Sequence, residues 1–147
     1  MSQTTWSGPL ASGDINAGKT GGPNIGLALL SQTVLINFDA TLVQNGTVYL
    51  PYKSQIVDII VDVLTQYDSA TSATLSVGTS SAATTYASGV NVKTGIRVLT
   101  TTTAAQLAAM DDIGTNGTVV ATVTSVGQPT VGQVRVTYRY VQTTAND

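Results

Sequence analysis

Residues 55–66, Gln-Ile-Val-Asp-Ile-Ile-Val-Asp-Val-Leu-Thr-Gln, restrict the possible folds more than any other stretch of the chain. On one parity stand Val57, Ile59, Val61 and Val63, all β-branched and apolar; on the other stand Ile56, Asp58, Ile60, Asp62 and Leu64. Successive side chains of a strand point to opposite faces, so the first set predicts a continuous dry face and the second a half-wet one. A helix would scatter these stiff side chains around its cylinder. The stretch reads as a core strand, opened after Pro51 and closed by the turn-forming run 68–72, Asp-Ser-Ala-Thr-Ser.

Composition points the same way. Of 147 residues only 10% are charged, and all eight acids are aspartate. Helix surfaces are usually decorated with Glu and Lys, whereas Thr, Ser, Val and Gly suit strands and turns. The length suits one domain with a substantial core. A net charge of −2 without a basic cluster argues against nucleic-acid binding, which needs grouped cations to neutralise phosphates. There is no cysteine, hence no disulfide or thiolate site. The amino terminus has neither a basic region nor an apolar run, and no apolar stretch approaches a membrane span, so a soluble protein made in a cytoplasm is expected, with no membrane partner.

Residues 1–26 form a separate region, broken by Gly8, Pro9, Gly13, Gly18, Gly21, Gly22, Pro23 and Gly26. The segment reads either as a frayed terminus or as an extended arm that orders against a neighbouring subunit. Trp6, the sole tryptophan, lies here with Leu10 and Ile25. Aromatic anchors in otherwise flexible segments hold partners, which favours the arm and makes Trp6, Leu10 and Ile25 its partner-contact residues.

Residues 27–147 read as a single β-domain. Strands are expected at 32–38 and 47–50, with Asn45-Gly46 as a hairpin turn because both positions tolerate positive φ. Further strands follow at 73–78 and 96–99, with a loop or short edge strand at 86–93. Thr103-Ala-Ala-Gln106 has capping-box spacing and starts a helix of about two turns, with Leu107 and Met110 on one face. Asp111 and Asp112 suit a helix C-terminus poorly and should end it. Strands at 118–126 and 133–141 complete the domain; in the second, Val134, Val136, Tyr138 and Tyr140 share the buried face. Seven or eight strands at this spacing predict an all-β fold, an antiparallel β-sandwich or jelly-roll-like barrel with one short helix.

Little in the chain supports catalysis. Without histidine or cysteine, the commonest general base and metal ligands are missing. Asp58 and Asp62 share a strand face about 13 Å apart, beyond the 5 to 9.5 Å of hydrolytic carboxylate pairs. Asp111-Asp112 lacks any calcium-loop pattern. Residues 13–20, Gly-Asp-Ile-Asn-Ala-Gly-Lys-Thr, satisfy a phosphate-loop pattern literally, but no buried strand precedes them and Gly21-Gly22-Pro23 follows. Asn45-Gly-Thr and Asn116-Gly-Thr match the glycosylation sequon and read as plain turns. No catalytic residue, cofactor or metal is expected.

Trp6-Ser-Gly-Pro-Leu, residues 22–26 (Gly-Pro-Asn-Ile-Gly), Leu50-Pro, and the phrases at 56–62, 68–79 and 87–94 resemble small virion proteins of tailed bacteriophages. The resemblance implies a capsid decoration or cement protein on the virion surface, binding the major capsid protein and its own copies. Such proteins are commonly β-rich, often trimeric, and use extended arms to clamp capsomers. The alternative is a receptor- or carbohydrate-binding β-sandwich on a tail or head fibre.

Overall fold

The computed structural model describes residues 28–100 and 102–142. Eight strands run in the order Leu29–Asn37 (β1), Val43–Tyr49 (β2), Ser54–Thr65 (β3), Ser72–Gly78 (β4), Ala87–Asn91 (β5), Arg97–Leu99 (β6), Thr118–Val126 (β7) and Gln133–Gln142 (β8). The helix Ala104–Asp111 (α1) lies between β6 and β7. The strands form two four-stranded sheets, β1-β8-β3-β6 and β2-β7-β4-β5, with every neighbouring pair antiparallel. First pairs with last, second with seventh, third with sixth and fourth with fifth. That nested pairing is the topology of a jelly roll.

The core lies between the sheets. β8 contributes Val134, Val136, Tyr138 and Tyr140, all buried as its alternation predicts. The second sheet answers with Val48, Leu75, Val77, Val119, Ala121 and Val123. Burying an aliphatic side chain of this size contributes about 1.5–3 kcal/mol, so alternation along the central strands supplies most of the driving force.

The face assignment of β3 needs correction at one end. Ile59, Val61 and Val63 do point inward, but Val57 is 53% exposed, and Ile56, expected on the half-wet side, is buried. A break in register between Ile56 and Asp58 against β8 marks a bulge at Val57. One extra residue reverses the inward parity, so Ser54 and Ile56 face the core before it and Ile59 onward after it.

Asn45-Gly46 is not a turn. It lies in the middle of β2, paired with Thr122 and Ala121 of β7. A Cβ on Gly46 would stand 2.8 Å from side-chain atoms of both Val34 and Ile36 on the facing sheet. Glycine is there because the sheets approach closely, one of the uses of a strand glycine.

The helix begins as predicted: Thr103 Oγ1 accepts from Gln106 N (3.3 Å) and Thr103 N donates to Gln106 Oε1 (2.8 Å). Its buried face is Gln106 and Met110, however, not Leu107 and Met110; Leu107 is 56% exposed. Gln106 can be buried because its amide is used fully, donating from Nε2 to Thr84 O (2.9 Å) as well as closing the cap. Asp112 ends the helix, with Oδ1 accepting from Gly114 N.

Candidate interaction surface

The outer faces of the two sheets differ sharply in chemistry. All three arginines of the chain stand on the outside of β1-β8-β3-β6. Asp62 lies between two of them in register, Arg135 on β8 and Arg97 on β6. Its Oδ1 accepts from Arg97 Nε at 2.6 Å and its Oδ2 from Arg135 Nη2 at 2.9 Å. Asp58 meets Arg139 more loosely, at 3.4 Å. The half-wet reading of this parity therefore holds for Asp58 but not for Asp62, whose residue exposure is only 8%. The signal for that burial is present in the sequence as two arginines four positions apart on one face of the last strand, but the pairing partner is visible only once strand order is known.

The hydrogen bond from Arg97 holds the Asp62 carboxyl below the ordinary carboxylate range, with Arg135 adding and burial opposing. A depressed folded-state value means that the unfolded chain binds more protons in acid, so this contribution to stability is complete above the unfolded value and is lost as pH falls through the folded one. Asp62→Asn should cost about 1–2 kcal/mol at neutral pH, the arginines being largely solvent-screened. The gap between variant and wild type should close below about pH 4. Urea melts across pH check both; a gap that persists in acid would show that the carboxylate charge is not what matters.

The outside of β2-β7-β4-β5 carries no charge. In register across it lie Val43, Thr124, Thr74 and Asn91, then Asn45, Thr122 and Ser76, then Thr47, Val120 and Gly78, and finally Tyr49 and Thr118. The connection 79–85, Thr-Ser-Ser-Ala-Ala-Thr-Thr, folds over part of this face and is itself uncharged. Ala82 N donates to Thr122 Oγ1 (2.9 Å) and Ser81 Oγ to Asn45 Oδ1 (3.0 Å). Ala83 lies directly over Gly78, where a Cβ would meet it at 2.5 Å. At the rim Val43 (41%), Val126 (53%), Tyr49 (71%) and Tyr52 (68%) are open to solvent.

The carboxylates of the described residues do not converge on a common point. Among the described residues no group of His, Cys, Asp and Glu could hold a metal ion, and no helix is long and apolar enough to cross a membrane. Asp111 accepts from Gln55 Nε2 (2.7 Å) and Asp112 caps its own turn, so the pair does not converge. A depression of about 410 Å³ between Phe38, Thr65 and Val131 is lined by no titratable side chain. Trp6, Leu10 and Ile25, and the glycine-lysine motif at 13–20, lie outside the described residues.

Comparison of the chain with protein-family models, curated proteins and solved structures finds no match. The surface itself must carry the functional reading.

Proposed function

We propose that this chain is a non-enzymatic structural subunit of a bacteriophage particle, a cement protein that binds the major capsid protein. The observation that carries the reading is the charge-free outer face of β2-β7-β4-β5, with Val43, Tyr49 and Val126 exposed at its rim. Interface cores are depleted of charged residues and enriched in tyrosine, since each buried charge must be paired or left at a cost. A broad hydroxyl face can lie close against a neighbour without any charge to desolvate. Double-sheet jelly rolls serve in viral capsid and lectin domains, which is an analogy of fold and adds support only at that level. Within this reading residues 1–26 act as a clamp, with Trp6, Leu10 and Ile25 seated on neighbouring subunits.

The test is co-sedimentation with capsids stripped of this protein. Val43→Lys and Thr74→Lys, both exposed on this face, should weaken binding at least tenfold while leaving the melting curve unchanged. Deleting residues 1–22 should also reduce binding. Copy number in purified particles should be tens to hundreds. Undiminished binding by both lysine variants would overturn the assignment of this face.

Tyr49 and Tyr52 favour one second reading. Two exposed tyrosines three positions apart offer the aromatic surface on which sugar rings stack. A glycan-binding module would be present in few copies per particle, and Tyr49→Ala with Tyr52→Ala would abolish retention on a glycan column, whereas Val43→Lys and Thr74→Lys would leave that retention intact.

A further inference from the structure

Among the described residues β1 is the longest of the four edge strands, with no bulge, charge or proline to blunt it. β6 is three residues long, and β5 is five residues with a broken register and Gly89 at φ +69°. β2 carries Gly46 at its centre. β1, Leu-Leu-Ser-Gln-Thr-Val-Leu-Ile-Asn, runs nine residues in unbroken register with β8 and contains no charge, proline or glycine. Natural edges usually carry at least one of those devices, because an open ladder pairs readily with another strand. Its core-facing Leu30, Gln32 and Val34 remain half-exposed, so no described residue covers the sandwich fully along this side. β2 reaches it through a side chain, Gln32 Nε2 to Tyr49 O at 3.1 Å, while in its own sheet β1 has β8 alone as neighbour.

The open ladder has a definite parity. Phe38 N donates to Gly132 O (2.9 Å), in line with the β1–β8 register. Antiparallel pairing alternates, so the main-chain groups of even-numbered β1 residues face β8. Those of Leu29, Ser31, Thr33, Leu35 and Asn37 point off the sheet. These five positions are symmetric about Thr33. A second β1 laid antiparallel with Thr33 opposite Thr33 puts Ser31 opposite Leu35 and Leu29 opposite Asn37, each open donor facing an open acceptor.

We infer that β1 is a self-association edge, through which two copies of the chain join into a continuous eight-stranded sheet about a two-fold axis at Thr33. The charges permit it. β1 has none, and Arg135 on β8 would stand about 14 Å from Arg139 of the second copy across three strand spacings, beyond the Debye length of about 8 Å at physiological salt. The exposed Leu29 and Leu35 each gain a cross-strand neighbour on the shared outer face, Asn37 and Ser31 of the second copy. An isologous contact of this kind closes on itself, so it yields even-numbered assemblies rather than a bare trimer.

This inference does not rest on capsid binding, because it is tested on the isolated full-length protein. Light scattering after size exclusion should give about 30 kDa, twice the chain mass of 15.1 kDa. Thr33→Pro removes an outward donor, at a position where an edge strand tolerates proline, together with the exposed hydroxyl contact to Thr137 (3.2 Å). Thr33→Lys sets two like charges across the axis. Each should raise the dimer dissociation constant at least tenfold with an unchanged circular dichroism spectrum. If Thr33→Pro does not fold, Thr33→Lys decides. Exchange of the Ser31, Thr33 and Leu35 amides should slow as protein concentration rises. A wild-type monomer would overturn the inference, as would an oligomer unaffected by either folded variant, or amides protected equally at every concentration because the chain's own residues cover the edge.

Discussion

Ile59→Asp yields no folded protein, whereas Val57→Asp, two positions earlier on the same strand parity, gives a near-wild-type melting curve. That is the largest contrast expected from this structure. Ile59 is 1% exposed between the sheets, with no cation facing it, while Val57 is 53% exposed at the bulge. An unpaired buried carboxylate costs about 5 kcal/mol or more, comparable with a total stability of about 5–15 kcal/mol. On the exposed side of a strand the same substitution costs less than about 1 kcal/mol. Soluble expression and thermal unfolding of the two variants make the measurement. Equal damage at both sites would mean that the strand runs without the bulge and that Val57 is a core residue.

Gly46→Val is expected to have the next largest effect, lowering stability by about 3 kcal/mol and the melting temperature by roughly 10 °C. Valine has high β-propensity, so strand preference alone predicts the opposite sign. The difference lies in the 2.8 Å clearance to Val34 and Ile36, which leaves no room for even one methyl between the sheets. Pairing the change with Val34→Ala should recover part of the loss, because it removes one of the two side chains in the way. A stable single variant would show that Gly46 does not face the other sheet at all.

The parts of the fold that could be read from sequence are those fixed by neighbours along the chain. Alternation named Val134, Val136, Tyr138 and Tyr140, and three-residue spacing named the Thr103–Gln106 cap. The failures share a different cause. The bulge at Val57 depends on how β3 meets β8, eighty residues away in sequence. Gly46 looked like a turn because its reason for being glycine is Ile36 on another sheet. Asp62 looked solvated because Arg97 and Arg135 reach it only through strand order. Gln106 displaced Leu107 from the helix's buried face because Thr84 O satisfies its amide. The uncharged outer face was legible only as composition, a scarcity of charge. Its segregation, with all arginines on one sheet and none on the other, follows from topology.

The nested strand pairing also sets a schedule for how the molecule can come into being. β8 separates β1 from β3, and β7 separates β2 from β4, so each sheet lacks a middle strand until the last two have been synthesised. A chain emerging from the ribosome through β6 holds six strands, and β4 with β5 is the single neighbouring pair among them besides β3 with β6. Such non-local pairing makes assembly slow, since loop closure must precede most of the stabilising contacts. During that interval the uncharged β1 stands unpaired and the Val- and Ile-rich β3 has only the three-residue β6 beside it, the condition under which strands recruit each other between chains. The same order of events gives β8 the deciding position: its arrival brings β1 to β3, clamps Asp62 with Arg135 and joins the seven strands before it into a closed sandwich.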